Sequence, residues 1–509
     1  MAVPLENLTE RLQRHLGIQQ AQTISPDDFT ADAIARLLGR RGDPSLVAQL
    51  WRSGDRAALV AGYRPREHDE VLTELVRVLD STIVVQRERG NGRPKTFLPL
   101  IPELVSAARS GQLYREMGRT VVEGFWQPTE KQHSGFIAQL KSLITSWPEQ
   151  HALANLLQPL CKPIEAQTPE TGGNFAIAMA SDKRLARWVR EVVTQDWQAY
   201  LVAAEPLSAD EQLEMMSSLI GLHAHIALLH RLFEADVPDA NPVFFVAATK
   251  TPDDDRSCDR AAYSCFSFWR DQAQPAMRRV AQDIIRQAAE QDATLRSSLS
   301  AGDWTSPQVW MGQEIKEGGK RKRATNDFRE AYESALHEAQ MRGKNPNLSV
   351  IEDLLVGALY AAFDTASGPI TKVKDYLRNT GRAAGIVGPE GTYRRKRYQL
   401  DDRAFELLLR LHAARRSDTV LSDEDEKQSV GAWLDDVAER YGLVVTTERE
   451  RAKRRFELAI DSSPGMRALR RHFPSEQTMA VNRQFLDQRL DELRFVRRFS
   501  DASSVVYVG

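Results

Sequence analysis

The sequence predicts a mainly α fold, a helical scaffold carrying short β-hairpins. Three observations predict it: apolar residues recur at helical spacing along most of the 509 residues, β-like runs are few and short, and nearly all of them follow directly on a helix. At about 100–200 residues per domain, the length accommodates three or four folding units. Charged residues make up 27% and hydrophobic residues 42%, as in chains that bury sizeable cores. Lys plus Arg number 68 and Asp plus Glu 70, a formal net charge of -2, so a nucleic-acid reading has to rest on local clustering. Three cysteines (Cys161, Cys258, Cys265) argue against a disulfide framework and most multi-cysteine metal folds, and suit a reducing cytoplasm. No basic stretch followed by an apolar one opens the chain, and no run approaches ~18 apolar residues; a cytoplasmic protein without a membrane span is expected.

The first unit, 1–100, has Val71, Leu72, Leu75, Val76 and Leu79 on one helical face, then Ile83-Val84-Val85, a Gly90-Asn91-Gly92 turn and Thr96-Phe97-Leu98. The second, 101–320, reads as a helical central scaffold, interrupted by the β-like run Val243-Phe244-Phe245-Val246 and by the breaker stretch Gln167–Gly173. In the third, 321–416, a helix from about Asn326 to Met341 precedes a second whose face is Ile351, Leu354, Leu355, Ala358, Leu359 and Ala362, with Ser349 and Glu352 spaced as a capping box. A tight Ala366-Ser367-Gly368 turn then leads to Pro369, suited to open a third helix carrying Ile370, Val373 and Leu377 inward. Ile386-Val387, a Gly388–Gly391 turn and Thr392–Leu400 close the unit as a hairpin. An acidic, turn-rich stretch around Asp423–Lys427 separates it from the fourth unit, 428–509, where the helix Val481–Glu492 leads into Phe495-Val496 and, past a polar turn, Val505–Val508.

Three helices with a tight turn before the third, closed by a hairpin, resemble the winged helix-turn-helix superfamily across 326–400, and 428–509 and 1–100 are looser versions of the same pattern. In that arrangement the third helix enters the major groove and the wing lies along the backbone. The charge pattern agrees. Between Pro369 and Leu400, Lys372, Lys374, Arg378, Arg382, Arg394, Arg395, Lys396 and Arg397 outnumber two acids, Asp375 and Glu390. With Tyr398 and Leu400 inward, strand alternation is expected to send Arg395, Arg397 and Gln399 to the other face. Lys320, Arg321, Lys322 and Arg323 follow two glycines and read as a mobile basic arm able to reach phosphates. These twelve cations are the candidate DNA-binding residues, with double-stranded DNA as the partner.

Catalytic signatures are poor. Gly319-Lys320 is the nearest approach to a phosphate-binding loop, but Glu314 and Arg321 occupy the positions of its first glycine and its hydroxyl residue. Asp303, Glu314 and Lys316 have the spacing of a metal-dependent nuclease triplet, two carboxylates for the cation and a lysine at the phosphate. His223, His225 and His230 share one helix with an all-apolar surround, which favours satisfied core histidines over a zinc site, and Cys258 and Cys265 face apart. Asp253, Asp254 and Asp255 read as a helix N-terminus, where negative charge is favourable. No catalytic residue, metal or cofactor is therefore expected.

The stretches "YLRNTGRAAGIVGPEGTYRRKRYQL" and "LDELRFVRRFSDASSVVYV" resemble the helical, winged-helix accessory subunits of multi-gene bacterial phage-defence systems. That resemblance implies a non-enzymatic DNA-binding architectural subunit, other protein subunits including a partner ATPase or nuclease, and an anti-phage role. Two alternatives follow from the residues: a kleisin-like connector of an SMC-type complex, given winged units at both ends of a helical middle, and a Mg-dependent nuclease using Asp303, Glu314 and Lys316.

Overall fold

The architecture is mainly helical in a computed structural model that describes residues 8–18, 26–42, 84–87, 94–97, 117–150, 163–165, 174–233, 240–249, 253, 256–305, 319–345, 347–363, 369–389, 395–416, 430–447, 450–493, 496–498 and 504–506. The organising element is the helix Ala209–Leu232, opened by a complete capping box between Ser208 and Glu211 and buried along nearly its whole length. A helix apolar on every side belongs inside, and this one is wrapped by Pro26–Leu38, Pro369–Ala383 and Asp402–Arg416. The approach to Pro369–Ala383 is close enough to require glycine: a Cβ at Gly221 would sit 2.4 Å from Ala383 Cβ and 2.8 Å from Ala384 N.

The Val243–Val246 run supplies the spine of the β structure. Phe244 and Phe245 pair in parallel with Leu443 and Val444. On the other side, Ala247 bridges in parallel to Gln399, donating to Tyr398 O at 3.2 Å and accepting from Leu400 N at 3.1 Å. Val387 and Gly388 pair antiparallel with Tyr398 and Arg397 beyond it. Segments about 150 and 200 residues away in sequence therefore meet on one buried strand. Asn482, on the helix Glu476–Glu492, ties its edge: its carboxamide accepts from Ala248 N at 2.9 Å and donates to Val246 O at 2.9 Å and Val445 O at 3.0 Å. One continuous hydrophobic cluster runs from Leu12 to Leu490 and includes residues from every unit of the chain.

Separate two-stranded antiparallel pairs are formed by Val84–Arg87 with Pro94–Phe97, by Val496–Arg498 with Ser504–Val506, and by Arg40–Gly42 with Pro163–Glu165. The helix placed from Asn326 begins earlier, spanning Gly319–Met341. The Ser349–Glu352 box does not cap the next helix, Leu348–Phe363. Asn347 does, its Oδ1 accepting from Val350 N at 2.9 Å, while Glu352 pairs with Arg286 at 3.1 Å. The helical face at Val71–Leu79, the Gln167–Gly173 breaker and the Asp423–Lys427 linker lie outside the described residues. Among the described residues, no helix is long and apolar enough to cross a membrane.

Candidate nucleic-acid interface and the buried charge network

The cations between Pro369 and Leu400 are largely committed within the molecule. No residue from Ile370 to Ala383 is exposed, because this helix packs against Ala209–Leu232 and touches Ala273–Gln291 and Ser257–Asp271. Lys372 and Arg382 are half-buried there. Lys374 Nζ lies 3.9 Å from Asp271 Oδ1, and Arg378 pairs with Asp375 at 2.8 Å. Lys396 donates to the Pro389 carbonyl, and the exposed Arg395 stacks over the Tyr263 ring at 5.4 Å.

Arg397 corrects the expectation from strand alternation. It is 1% exposed and lies 3.6 Å from Asp259, which also accepts from Thr249 Oγ1 at 2.6 Å and Asp253 N at 3.0 Å. The helix Ser257–Asp271 packs on this strand, bringing Asp259 to Arg397 and the Phe266 ring to within 5.2 Å of the Tyr398 ring, so Arg397 is interior. Lys320, Arg321, Lys322 and Arg323 correct a second expectation: they stand in the first turns of a helix rather than in a mobile arm. Arg394 lies outside the described residues.

A basic surface that sequence reasoning passed over lies further on, where Glu450–Ile460, Pro464–Arg467 and Ala468–His472 form a compact helical turn. Seven cations face three acids between Glu450 and His472. Arg451, Lys453, Arg454, Arg467, Arg470 and Arg471 are exposed. Of these, Arg451 reaches Glu439 at 3.7 Å. This rim adjoins the predicted basic helix through Asp271: Arg270 Nε stands 3.3 Å and Lys374 Nζ 3.9 Å from its Oδ1. His472, bonded to Ser264 Oγ at 2.7 Å, feels the same carboxylate; burial and Arg471 still lower its pKa. The local charge count that singled out 369–400 would also have found 450–472.

A second concentration of charge is internal. Asp196, fully buried, accepts from Arg415 and Arg440 at 2.8 Å each on Oδ1, and from His223 Nε2 and Tyr441 OH at 2.9 Å each on Oδ2. Burial opposes ionisation, yet the guanidiniums of Arg440 and Arg415 and the His223 bond hold the carboxyl down at about 2. Asp436, bonded to His412 at 3.0 Å and to Arg415, lies well below the usual carboxylate range: burial opposes this, but the His412 bond and Arg415 prevail. Burial lowers the His223 pKa against the pull of Asp196. His225 sits between Leu377 O at 3.0 Å and Tyr398 OH at 3.2 Å, and burial lowers it to about 3. His230 lies against Trp188, 5.1 Å between ring centroids, and is likewise at about 3. The three histidines thus have three different surroundings, and among the described residues no three His, Cys, Asp or Glu group where they would hold a metal.

Cys258 and Cys265 are buried, with the Cys265 thiol pushed up to about 12 by burial. Cys161 lies outside the described residues, as do Asp254 and Asp255; Asp253 pairs with Arg256 at 3.5 Å just before the helix Ser257–Asp271. Of the nuclease triplet only Asp303 is described. Its carboxylate accepts from Thr305 N at 2.8 Å, an interaction that shapes a turn. Glu314 and Lys316 lie outside the described residues. No family model matches the chain, and no curated protein or solved structure matches it.

Proposed function

We propose that this chain is a non-enzymatic, duplex-DNA-binding architectural subunit whose phosphate contacts come from the 450–472 rim. The observation that carries the reading is the set Arg467, Arg470 and Arg471, exposed beside His472. Exposed guanidiniums keep their donors for phosphate oxygens and give up little on binding, whereas Arg397, enclosed against Asp259 at 1% exposure, has no face open to a phosphate. This favours backbone contact and shape over base reading, because the winged-helix reading of 369–400 leaves its third helix without an exposed residue from Ile370 to Ala383. Partner subunits, among them an ATPase or nuclease, and a cytoplasmic, anti-phage setting complete the proposal on the strength of the family resemblance and the cysteine usage.

The test is duplex binding by the purified chain across a salt series with Mg²⁺ present and strand integrity followed in the same samples. Salt-dependent binding to duplexes of unrelated sequence, without cleavage, is the expected result. Cleavage would transfer the function to Asp303, Glu314 and Lys316, and absence of binding would make the basic rim a surface for acidic protein partners.

A further inference from the structure

A cleft of about 400 Å³ opens between the helices Phe136–Gln150, Thr194–Ala204 and Asp402–Arg416. Its hydrogen-bonding lining includes Ser134, Gln139, Gln195, Gln198 and Arg415, and the exposed Val202 stands in its wall. Arg415 is the one guanidinium among the described lining residues, His133 adds an imidazole, and no acid is among them. The volume falls within the range of small-molecule sites, roughly 300–1,000 Å³.

Two further features converge on this cleft. Arg415 is held in place: Nη1 donates to Asp196 at 2.8 Å and Tyr441 OH at 3.5 Å and Nη2 to Asp436, which takes at most three of the about five donors of a guanidinium. Its orientation is thus set before any ligand arrives, which removes an ordering cost from binding. Gln195 is held as well, accepting from Arg440 Nη1 at 3.0 Å. The second feature is backbone. Single π-helical turns, Val122–Trp126 and Val189–Val193, run directly into the helices Gln127–Gln132 and Thr194–Ala204, the first ending beside the cleft and the second walling it. Such turns are rare and recur at functional sites.

We propose that this cleft binds a small organic anion, its phosphate or carboxylate taken by Arg415 and its hydrogen-bonding body by Gln139, Gln195 and Gln198. The three carboxamides offer donors and acceptors at once, matching a planar base or an amide rather than a hydrocarbon, and the one guanidinium selects one anionic group. The site is independent of the basic rim and of the DNA reading.

Titration calorimetry on the full chain with adenosine 5′-monophosphate, N-acetylglutamine and neutral adenosine tests it, the first two separating a phosphate from a carboxylate source. One of the two anions is expected to bind at least about tenfold more tightly than adenosine, one well-made charged contact being worth that much. The Gln139→Leu/Gln198→Leu double variant, altered only at the cleft surface, should lose at least about tenfold in affinity with an unchanged melting temperature and unchanged DNA salt dependence. Failure of both anions at millimolar concentration, equal binding of adenosine, or unaltered binding by the double variant would each overturn the proposal.

Discussion

The strand Arg397–Tyr398 with its preceding helix and the rim at 450–472 are both strongly basic in sequence, and they use their charge in opposite ways. In the first region Arg397 is enclosed with Asp259, Lys374 leans on Asp271, Arg378 on Asp375, and Lys396 on a backbone carbonyl. In the second, Arg454, Arg467, Arg470 and Arg471 stand in solvent. A charge count measures how many cations a segment holds; the packing partners of its elements decide how many are left for a ligand. Ser257–Asp271 packs on the strand Arg397–Tyr398, and Ala209–Leu232 packs on the helix before it.

The comparison breaks most visibly in stability. Replacing Asp196 by alanine leaves Arg415, Arg440 and His223 without their shared acceptor in the interior, and is expected to cost about 3–5 kcal/mol, read as a fall in the denaturant midpoint. Arg397→Ala should cost a similar or slightly smaller amount, because Asp259 would keep Thr249 and the Asp253 amide as donors. Arg470→Glu with Arg471→Glu should instead leave stability within about 0.5 kcal/mol while weakening duplex binding. Equal stability losses in the two regions would erase the distinction.

Acid sharpens the same contrast. His225 and His230 are held near 3 by burial, whereas unfolded histidine titrates near ~6.5, so the unfolded chain binds more protons below that value. Their contribution is whole above about pH 6.5 and drains away as pH falls toward about 3, by up to ~1.4 kcal/mol per unit for each. Asp196, at about 2, adds a loss that begins only below about pH 4. Chemical denaturation between pH 7 and 4 should show this slope, and His225→Gln should flatten it. A further effect is steric: Gly221→Ala, with 2.4 Å to Ala383 Cβ, should lower stability by about 1–3 kcal/mol through helix displacement.

Much of the helical content was legible because periodicity and punctuation are local signals: Pro369 opens its helix, and Met341 closes one. The capping of Leu348–Phe363 misled because Asn347 and Ser349 are both good caps, and the choice depends on where the preceding turn delivers the chain. The Val243–Val246 run was recognisable as β, but its partners at 399 and 443–444 were not, since parallel pairing over such separations leaves no turn signal. Alternation separated Arg397 from Tyr398 but carried no sign of the helix Ser257–Asp271 that packs on their strand. Asp196, Arg415 and Arg440 carried no signal as a group, being 219 and 244 residues apart in sequence.

The claim at the centre is that exposed cations at 450–472, rather than the enclosed ones at 369–400, take the phosphates. It is tested most directly by the slope of log K against log salt for a duplex of mixed sequence, wild type beside Arg467→Glu/Arg470→Glu/Arg471→Glu. At about 0.9 per phosphate contact, the account predicts that the slope shrinks by about 2–3 at an unchanged melting temperature. An unchanged slope in a folded variant would contradict it.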